Sequence, residues 1–263
     1  MNYKKTYTPA TGYTKLCEIG KCSCKRLEFG MIQLDAGDSV TVETGEKEYV
    51  FVFLRGHADV TVGENRWENV GGRMDVFEGP CHSVYVPRRS AVTFTGRDGV
   101  QIGVIDTPTD KDSAPEWRKP EQVKVLTLGE TPWKRDFHGI IDGNSNADYL
   151  TVGESFVEPG NWAGYPGHKH DVDDMPREAA AEEIYFFLFD KEQGFGFQSL
   201  YTRDGEIDET YRVKNNDLVE FPKGYHLTQT APGYKMYILW FMAGDIQGVH
   251  RTNDPDHDWI LQK

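Results

Sequence analysis

Four side chains of this 263-residue chain have the types and spacing to hold a divalent metal ion: His168, His170, Glu183 and His226. His168 and His170 are two apart, so on a β-strand both project to one side, with Lys169 between them pointing to the other. Glu183 opens an aromatic run, Ile184 to Phe189. Alternation there puts Tyr185 and Phe187 on its face and Glu182 on the opposite one. His226 follows Pro222-x-Gly224, a turn from which the chain would enter another strand. Three imidazoles and one carboxylate form an N3O set that suits zinc, manganese, iron, nickel or cobalt, and leaves a position open to water or substrate. An ion so held is a Lewis acid for oxygens that gain negative charge. With eight histidines in the chain, one H-x-H pair alone would be unremarkable. What points to a site is the order: H-x-H, a Glu before an aromatic strand, then P-x-G-x-H.

The elements that must position these residues read as strands. Residues 45–59 (GEKEYVFVFLRGHAD) are a β-branched and aromatic run between Gly turns, and residues 84–96, 183–189, 221–227 and 236–241 look alike. Residues 201–213 carry an Asp204-Gly205 turn signal between strand-like flanks. Helical periodicity is scarce; the best short candidate is 177–183. Many short strands with turns every 8–12 residues imply an all-β sandwich or barrel. Residues 108–120 (PTDKDSAPEWRKP) read as a linker that splits the chain into similar halves. Glu48 to Phe53 resembles Glu183 to Leu188, and Val84 to Pro87 resembles Leu218 to Pro222, both at an offset of 135. The chain is therefore expected to hold two copies of one β-domain. The polar cluster lies only in the second: Glu48 matches Glu183, but no histidine lies between Gly37 and Glu48, and Ala91 stands where His226 would be.

Composition narrows the function. Lys+Arg minus Asp+Glu is 29 − 42 = −13, so a phosphate-neutralising nucleic-acid surface or docking on anionic lipid is not expected. The longest apolar run, 236–243, is far short of the roughly 20 residues of a membrane span. Residues 6–14 are too polar for a signal-peptide core. A cytoplasmic protein is expected, with Cys17, Cys22, Cys24 and Cys81 as reduced thiols. Cys17-x4-Cys22-x-Cys24 could gather a soft metal, but it lacks C-x2-C pairs and a nearby His.

A family resemblance adds to this reading. Gly160 to Gly164, His168, His170, Glu183, Pro222, Gly224 and His226 resemble the two cupin motifs with their His/His/Glu/His metal set. The duplicated chain looks like a bicupin, two β-barrels of double-stranded β-helix (jelly-roll) type, with a degenerate first lobe. The segments GESFVEPGNWAGYPGHKHD, EEIYFFLF, GFGFQSLYT, FPKGYH, APGYKMYILWFMAGD and DPDHDW are similar to the 5-deoxy-glucuronate isomerases of myo-inositol catabolism. That bicupin family also contains the 5-keto-4-deoxyuronate isomerases of pectin breakdown. The twelve residues between His170 and Glu183 favour the inositol type. Leu227, where those enzymes would carry a proline, and residues 135–142 depart from the pattern. The domain layout implied is an N-terminal arm (1–26), a metal-free cupin domain (27–107), the linker (108–120), a metal-binding cupin domain (121–245) and a C-terminal tail (246–263).

The resemblance implies a metal-dependent aldose–ketose isomerisation of 5-deoxy-D-glucuronate to 5-dehydro-2-deoxy-D-gluconate. It implies one divalent ion per chain, zinc first and manganese or iron as alternatives, and a homo-oligomer that covers open sheet edges. Candidate catalytic residues are Glu183, Tyr185 and Glu182, the last if the strand begins after it. A sugar-acid substrate calls for a cation, for which Arg177 is the choice over Lys169 and Lys223, with Tyr165 as a further substrate contact. The other readings are a 5-keto-4-deoxyuronate isomerase of pectin breakdown, a cupin metal dioxygenase and a sugar-binding cupin without activity.

Overall fold

The continuous apolar runs become central strands because they are buried on both faces. A computed structural model describes residues 2–262. Its first half holds β2 (Gly12–Cys17), β3 (Glu28–Leu34), β4 (Ser39–Glu43), β5 (Lys47–Arg55), β6 (His57–Val62), β7 (Asn65–Gly71), β8 (Ser83–Val86), β9 (Ala91–Gly96), β10 (Val100–Pro108) and β11 (Glu116–Arg118), after a short β1 (Lys4–Thr6). The second half holds β12 (Lys124–Leu128), β13 (Arg135–Ile141), β14 (Leu150–Val157), β15 (Trp162–Lys169), β16 (Ala181–Phe189), β17 (Phe195–Tyr201), β18 (Asp208–Lys214), β19 (Asp217–Phe221), β20 (Tyr225–Thr230), β21 (Met236–Gly244) and β22 (Thr252–Asn253). Among the described residues no helix is long and apolar enough to cross a membrane.

Each half pairs a large sheet with a smaller one. The first has β11-β8-β5-β10-β3-β2 and β4-β9-β6-β7; the second has β1-β19-β16-β21-β14-β13-β12 and β18-β17-β20-β15-β22. The order β8-β5-β10-β3 answers strand for strand to β19-β16-β21-β14, and β4-β9-β6-β7 to β15-β20-β17-β18, so the halves share one topology. One apolar core fills each lobe: Phe51, Phe94 and Ile102 belong to the first, Phe187, Phe221 and Ile238 to the second. A third core lies between the large sheets, where Phe29 stacks on Phe241 at 4.9 Å between centroids.

The sequence offset needs a correction by one residue. β8 and β19 match at 219 − 84 = 135, since Val84 and Val219 both face a lobe interior. Val84 pairs with Phe51, and Val219 with Tyr185, so β5 and β16 match at 185 − 51 = 134. A slip of one residue exchanges the faces of a strand. The partner of Glu183 is thus Tyr49, and that of Glu48 is Glu182. These two glutamates do the same job in opposite directions. Glu48, wholly buried, accepts the backbone N–H groups of Asp148, Tyr149 and Leu150 at 2.8–3.0 Å. Glu182 accepts those of Lys25 and Arg26 at 2.8–2.9 Å. Each lobe fastens the chain that leads into β14 or β3 of the other.

Three local expectations also change. Residues 177–183 are not helical: the Glu178 carboxylate takes the N–H groups of Asp171 and Val172 and the Lys169 ammonium, and Asp174 bridges to Glu178 in a turn. Such side-chain bonds compete with helix formation. Residues 108–120 are no free linker, since β11 pairs with β8 and Arg118 is buried against Ile140 O and Asn144 O. The arm and tail are built in too: β1 pairs with β19 of the second lobe, and β22 with β15 beside His168. The Asp204-Gly205 turn joins β17 to β18 as expected.

Candidate metal centre

The second lobe brings His170, Glu183 and His226 together, with their ligand atoms within 4.8 Å of one another and all three side chains buried. β16 supplies Glu183, β20 supplies His226, and His170 follows the last residue of β15. His170 Nε2 lies 2.9 Å and His226 Nε2 3.0 Å from Glu183 Oε2. His168, also buried, stands beside them with its ring 4.4 Å from that of His226 and 6.3 Å from that of His170. As alternation requires, Lys169 points the other way and pairs with Asp171 and Glu178.

Each imidazole is set by its second nitrogen. His168 Nδ1 meets Gly164 O at 3.0 Å, His170 Nδ1 meets Ala181 O at 2.9 Å, and His226 Nδ1 meets Gly224 O at 3.4 Å. A carbonyl only accepts, so each Nδ1 carries the proton; that leaves a lone pair at Nε2 of His168 and His226, the tautomer that metal-binding histidines use, while His170 Nε2 hydrogen-bonds to Glu183. His226 Nε2 is buried and, despite its closeness to Glu183, has no hydrogen bond. An orphaned ring nitrogen within this donor set is what a divalent ion would satisfy, and the residues fit one.

Two glycines make room for the cluster. A Cβ on Gly164 would lie 2.7 Å from His168 Cε1, and its φ of +68° is itself left-handed. A Cβ on Gly153 would lie 2.1 Å from the Trp240 ring, which covers that strand.

Electrostatics keep the His168 and His226 nitrogens available. Burial, then the Arg251 charge and the neighbouring imidazoles, pulls His168 well below its ordinary value. Burial also lowers His226, against the pull of Glu183. Burial would raise the Glu183 carboxyl, but the His170 and His226 imidazoles beside it override that and hold it at about 2. His170 is raised: burial opposes, and the Glu183 carboxylate prevails.

Above the cluster lies a cavity of about 280 Å³ lined by His168, His170, Glu183 and Tyr185, by Phe137, Trp240 and Met242, and by Arg135 and Arg251. Tyr185 packs edge-on to Phe221 and His226. Burial, then Glu183, pushes its hydroxyl well above the ordinary tyrosine value, so it is a proton donor at neutral pH. Phe137 stacks on Trp240, whose indole N–H is buried without a partner. The sequence reading missed both arginines. Arg135, on β13, and Arg251, just before β22, have no carboxylate partner among the described residues, whereas the third cation at the cavity, Lys124, pairs with Asp142 at 3.2 Å. Burial, then Arg251, lowers Arg135 to about 10, and burial lowers Arg251 as well.

Three expected site residues lie elsewhere. Arg177 is on the surface, paired with Asp174, because the turn at 174–178 carries it outward. Tyr165 packs against Trp133 and Trp162 on the outer side of β15, away from the cavity. Glu182 is held by the Lys25 and Arg26 amides between the lobes, where alternation sends it.

Fold and site together define an all-β enzyme of two like lobes, with a histidine–glutamate centre in the second. The chain belongs to the KduI/IolB family, whose profile matches residues 6–260. It is 39% identical over 235 residues to the 5-deoxy-glucuronate isomerase of Geobacillus kaustophilus, covering 89% of this chain and 85% of that one. It is 37% identical over 239 residues to the Bacillus subtilis enzyme of the same name, covering 90% and 88%. An IolB-like protein from Salmonella typhimurium superimposes with a TM-score of 0.95 at 32% identity, over 99% of this chain and all of that one. The oxalate decarboxylase of Lactobacillus farciminis superimposes at 0.69 with 10% identity, over 100% and 91% of the two chains, a likeness of fold alone.

Proposed function

We propose that the protein is a metal-dependent aldose–ketose isomerase that converts 5-deoxy-D-glucuronate to 5-dehydro-2-deoxy-D-gluconate, with its lobes as two cupin barrels and its ion in the second. The observation that carries this reading is the pairing, across one cavity, of two arginines without an ion-pair partner among the described residues with the His170, Glu183 and His226 cluster and the adjoining His168. The volume is near the lower end of small-molecule sites, roughly 300 Å³, which suits a six-carbon acid. His168, His170, Glu183 and His226 would hold the ion, zinc first with manganese or iron as alternatives. When bound, it supplies Lewis acidity for the charge that develops on O1 and O2 as C2 loses its proton and C1 gains one.

The chain's own groups do the rest. Arg135 and Arg251 bind the carboxylate and thereby set which end of the sugar reaches the cluster. Tyr185, kept protonated, donates a hydrogen bond to a substrate oxygen. The Trp240 indole N–H offers a second donor, and Phe137 and Met242 exclude water. Glu182 moves no proton, since its carboxylate is engaged between the lobes. A homo-oligomer belongs to the same proposal: β12 is a sheet edge with Val125 and Leu126 exposed, and a solution mass of 29.9 kDa would remove it.

The test is proton NMR of the purified protein in D2O, without oxygen, with 5-deoxy-glucuronate and 5-keto-4-deoxyuronate in separate samples. Turnover of the first, with deuterium entering at the former aldehyde carbon, supports the reading. Turnover of the second alone changes the substrate. A strict need for oxygen moves the protein to the oxygenases, and binding of either sugar without turnover makes it a sugar-binding protein.

A further inference from the structure

On the side of the second lobe away from the cavity, the N-terminal segment brings two thiols together over the outer face of β19. Lys21 N and Cys22 N both donate to Glu18 O, at 2.9 and 3.1 Å, so the chain turns back after β2 and sets Cys22 beside Cys17. The Cys17 S–H donates to Glu220 and the Cys22 S–H to Cys24 O at 3.4 Å. Their Sγ atoms and a Glu220 carboxylate oxygen lie within 4.8 Å of one another. Cys17 is sealed from solvent and lies 3.2 Å from Glu220 Oε1, whereas Cys22 is half-buried and within reach of a reagent. The Lys5 ammonium sits 2.9 Å from the same Glu220 oxygen and 3.8 Å from Cys17 Sγ.

The geometry points to Cys17 and Cys22 as a dithiol that closes reversibly to a disulfide when a small-molecule disulfide such as oxidised glutathione is the oxidant. Cys22, as thiolate, attacks one sulfur of the oxidant and expels one small thiolate, leaving a mixed disulfide. Cys17 then attacks the Cys22 sulfur, Glu220 accepts its proton, and the second small thiol leaves. Two protein thiols become one disulfide while one small disulfide becomes two thiols. The electrostatics support this division of labour: the adjoining Cys17 thiol lowers Cys22 to about 7 with help from Lys5, and the adjoining Cys22 together with burial pushes Cys17 up. A soft metal ion is the competing occupant, but the Lys5 ammonium already holds the cation position at Glu220. The loop that the bond would brace holds Ser23 N against Glu220 at 2.6 Å, and its Lys25 and Arg26 amides hold Glu182. It thus backs the two strands that carry Glu183 and Phe221.

The test is incubation of the full chain with excess oxidised glutathione, alkylation of remaining thiols, digestion and mass mapping. The expected result is loss of two of the four free thiols, a Cys17–Cys22 linkage, and full recovery with dithiothreitol. Cys17→Ser should stop at glutathionylated Cys22, and Cys22→Ser should form no internal linkage. Four free thiols in the treated wild-type protein would overturn the proposal. So would a linkage through Cys24 or Cys81, or an ion that co-purifies on Cys17 and Cys22 and must be removed before they react.

Discussion

Arg135 and Arg251 face the cavity with no carboxylate ion-paired to them among the described residues, so a bound acid is their natural counter-charge. A hydrogen bond to a charged group contributes about 1.5–3 kcal/mol, which at about 1.4 kcal/mol per decade is roughly ten- to a hundredfold. Arg135→Gln and Arg251→Gln should each lower kcat/KM for the uronate by that factor, chiefly through KM, in steady-state kinetics. An unchanged KM in both would remove them as the carboxylate clamp. Sequence pointed to Arg177 because it lies near the histidines along the chain. Arg135 is more than thirty residues ahead of His168 and Arg251 is beyond β21, and only folding brings them together. The clustering of the histidines with Glu183 was legible because it comes with local pattern: H-x-H on one strand face, a turn before His226. Glu48 shows the opposite case. The strand pattern matched it to Glu183, but its place in the pleat makes it a clamp for three backbone amides. Glu48→Gln should therefore lower the unfolding free energy by about 1–3 kcal/mol, read by urea titration, and leave turnover of the folded enzyme intact.

Among the elements, β15 is the one whose conformation the chemistry depends on most. Gly164 adopts a φ of +68°, and an added Cβ there would meet His168 at 2.7 Å. Gly164→Ala should displace that ring and weaken metal binding at least tenfold by metal titration, with far-ultraviolet dichroism unchanged; native affinity would show that His168 is not held by this strand. The strands themselves were legible from their apolar runs, including the Asp204-Gly205 hairpin. The turn at 174–178 was not, because its order comes from Glu178 folding back onto Asp171, Val172 and Lys169. The slip from 135 to 134 between β5 and β16 was also hidden, since both faces of these strands are apolar and the pattern carries no register.

Across the whole molecule, Glu154 of the second lobe ion-pairs with Arg73 of the first and accepts the Tyr237 hydroxyl at 2.7 Å. Burial would raise this carboxyl, but Arg73, with the His138 imidazole 3.7 Å away and the Tyr237 hydroxyl, holds it below its ordinary 4.5. A depressed folded value means that its contribution is fully present above pH 4.5 and is lost as pH falls through the lower folded value. The urea midpoint should fall with acidification below pH 4.5, and less steeply in Glu154→Gln, although that variant starts lower because Arg73 is left buried and unpaired. Equal slopes would mean that the lobe junction does not depend on this ion pair. The duplication was visible in sequence, but the crossing contacts were not, because they join residues from about eighty to more than two hundred positions apart.

The central claim is that the second lobe's histidine–glutamate cluster holds the ion on which isomerisation depends. The most direct measurement follows 5-deoxy-glucuronate by proton NMR with protein stripped by a chelator, as zinc, manganese or iron(II) is returned, with Glu183→Gln beside the wild type. The account predicts no turnover in stripped protein and recovery at about one ion per chain. It predicts a folded Glu183→Gln variant that binds the ion more weakly and stays at least a hundredfold slower, since a neutral amide is a poorer ligand than a carboxylate. Full turnover by the stripped wild-type protein, or by Glu183→Gln at the same ion concentration, would contradict it.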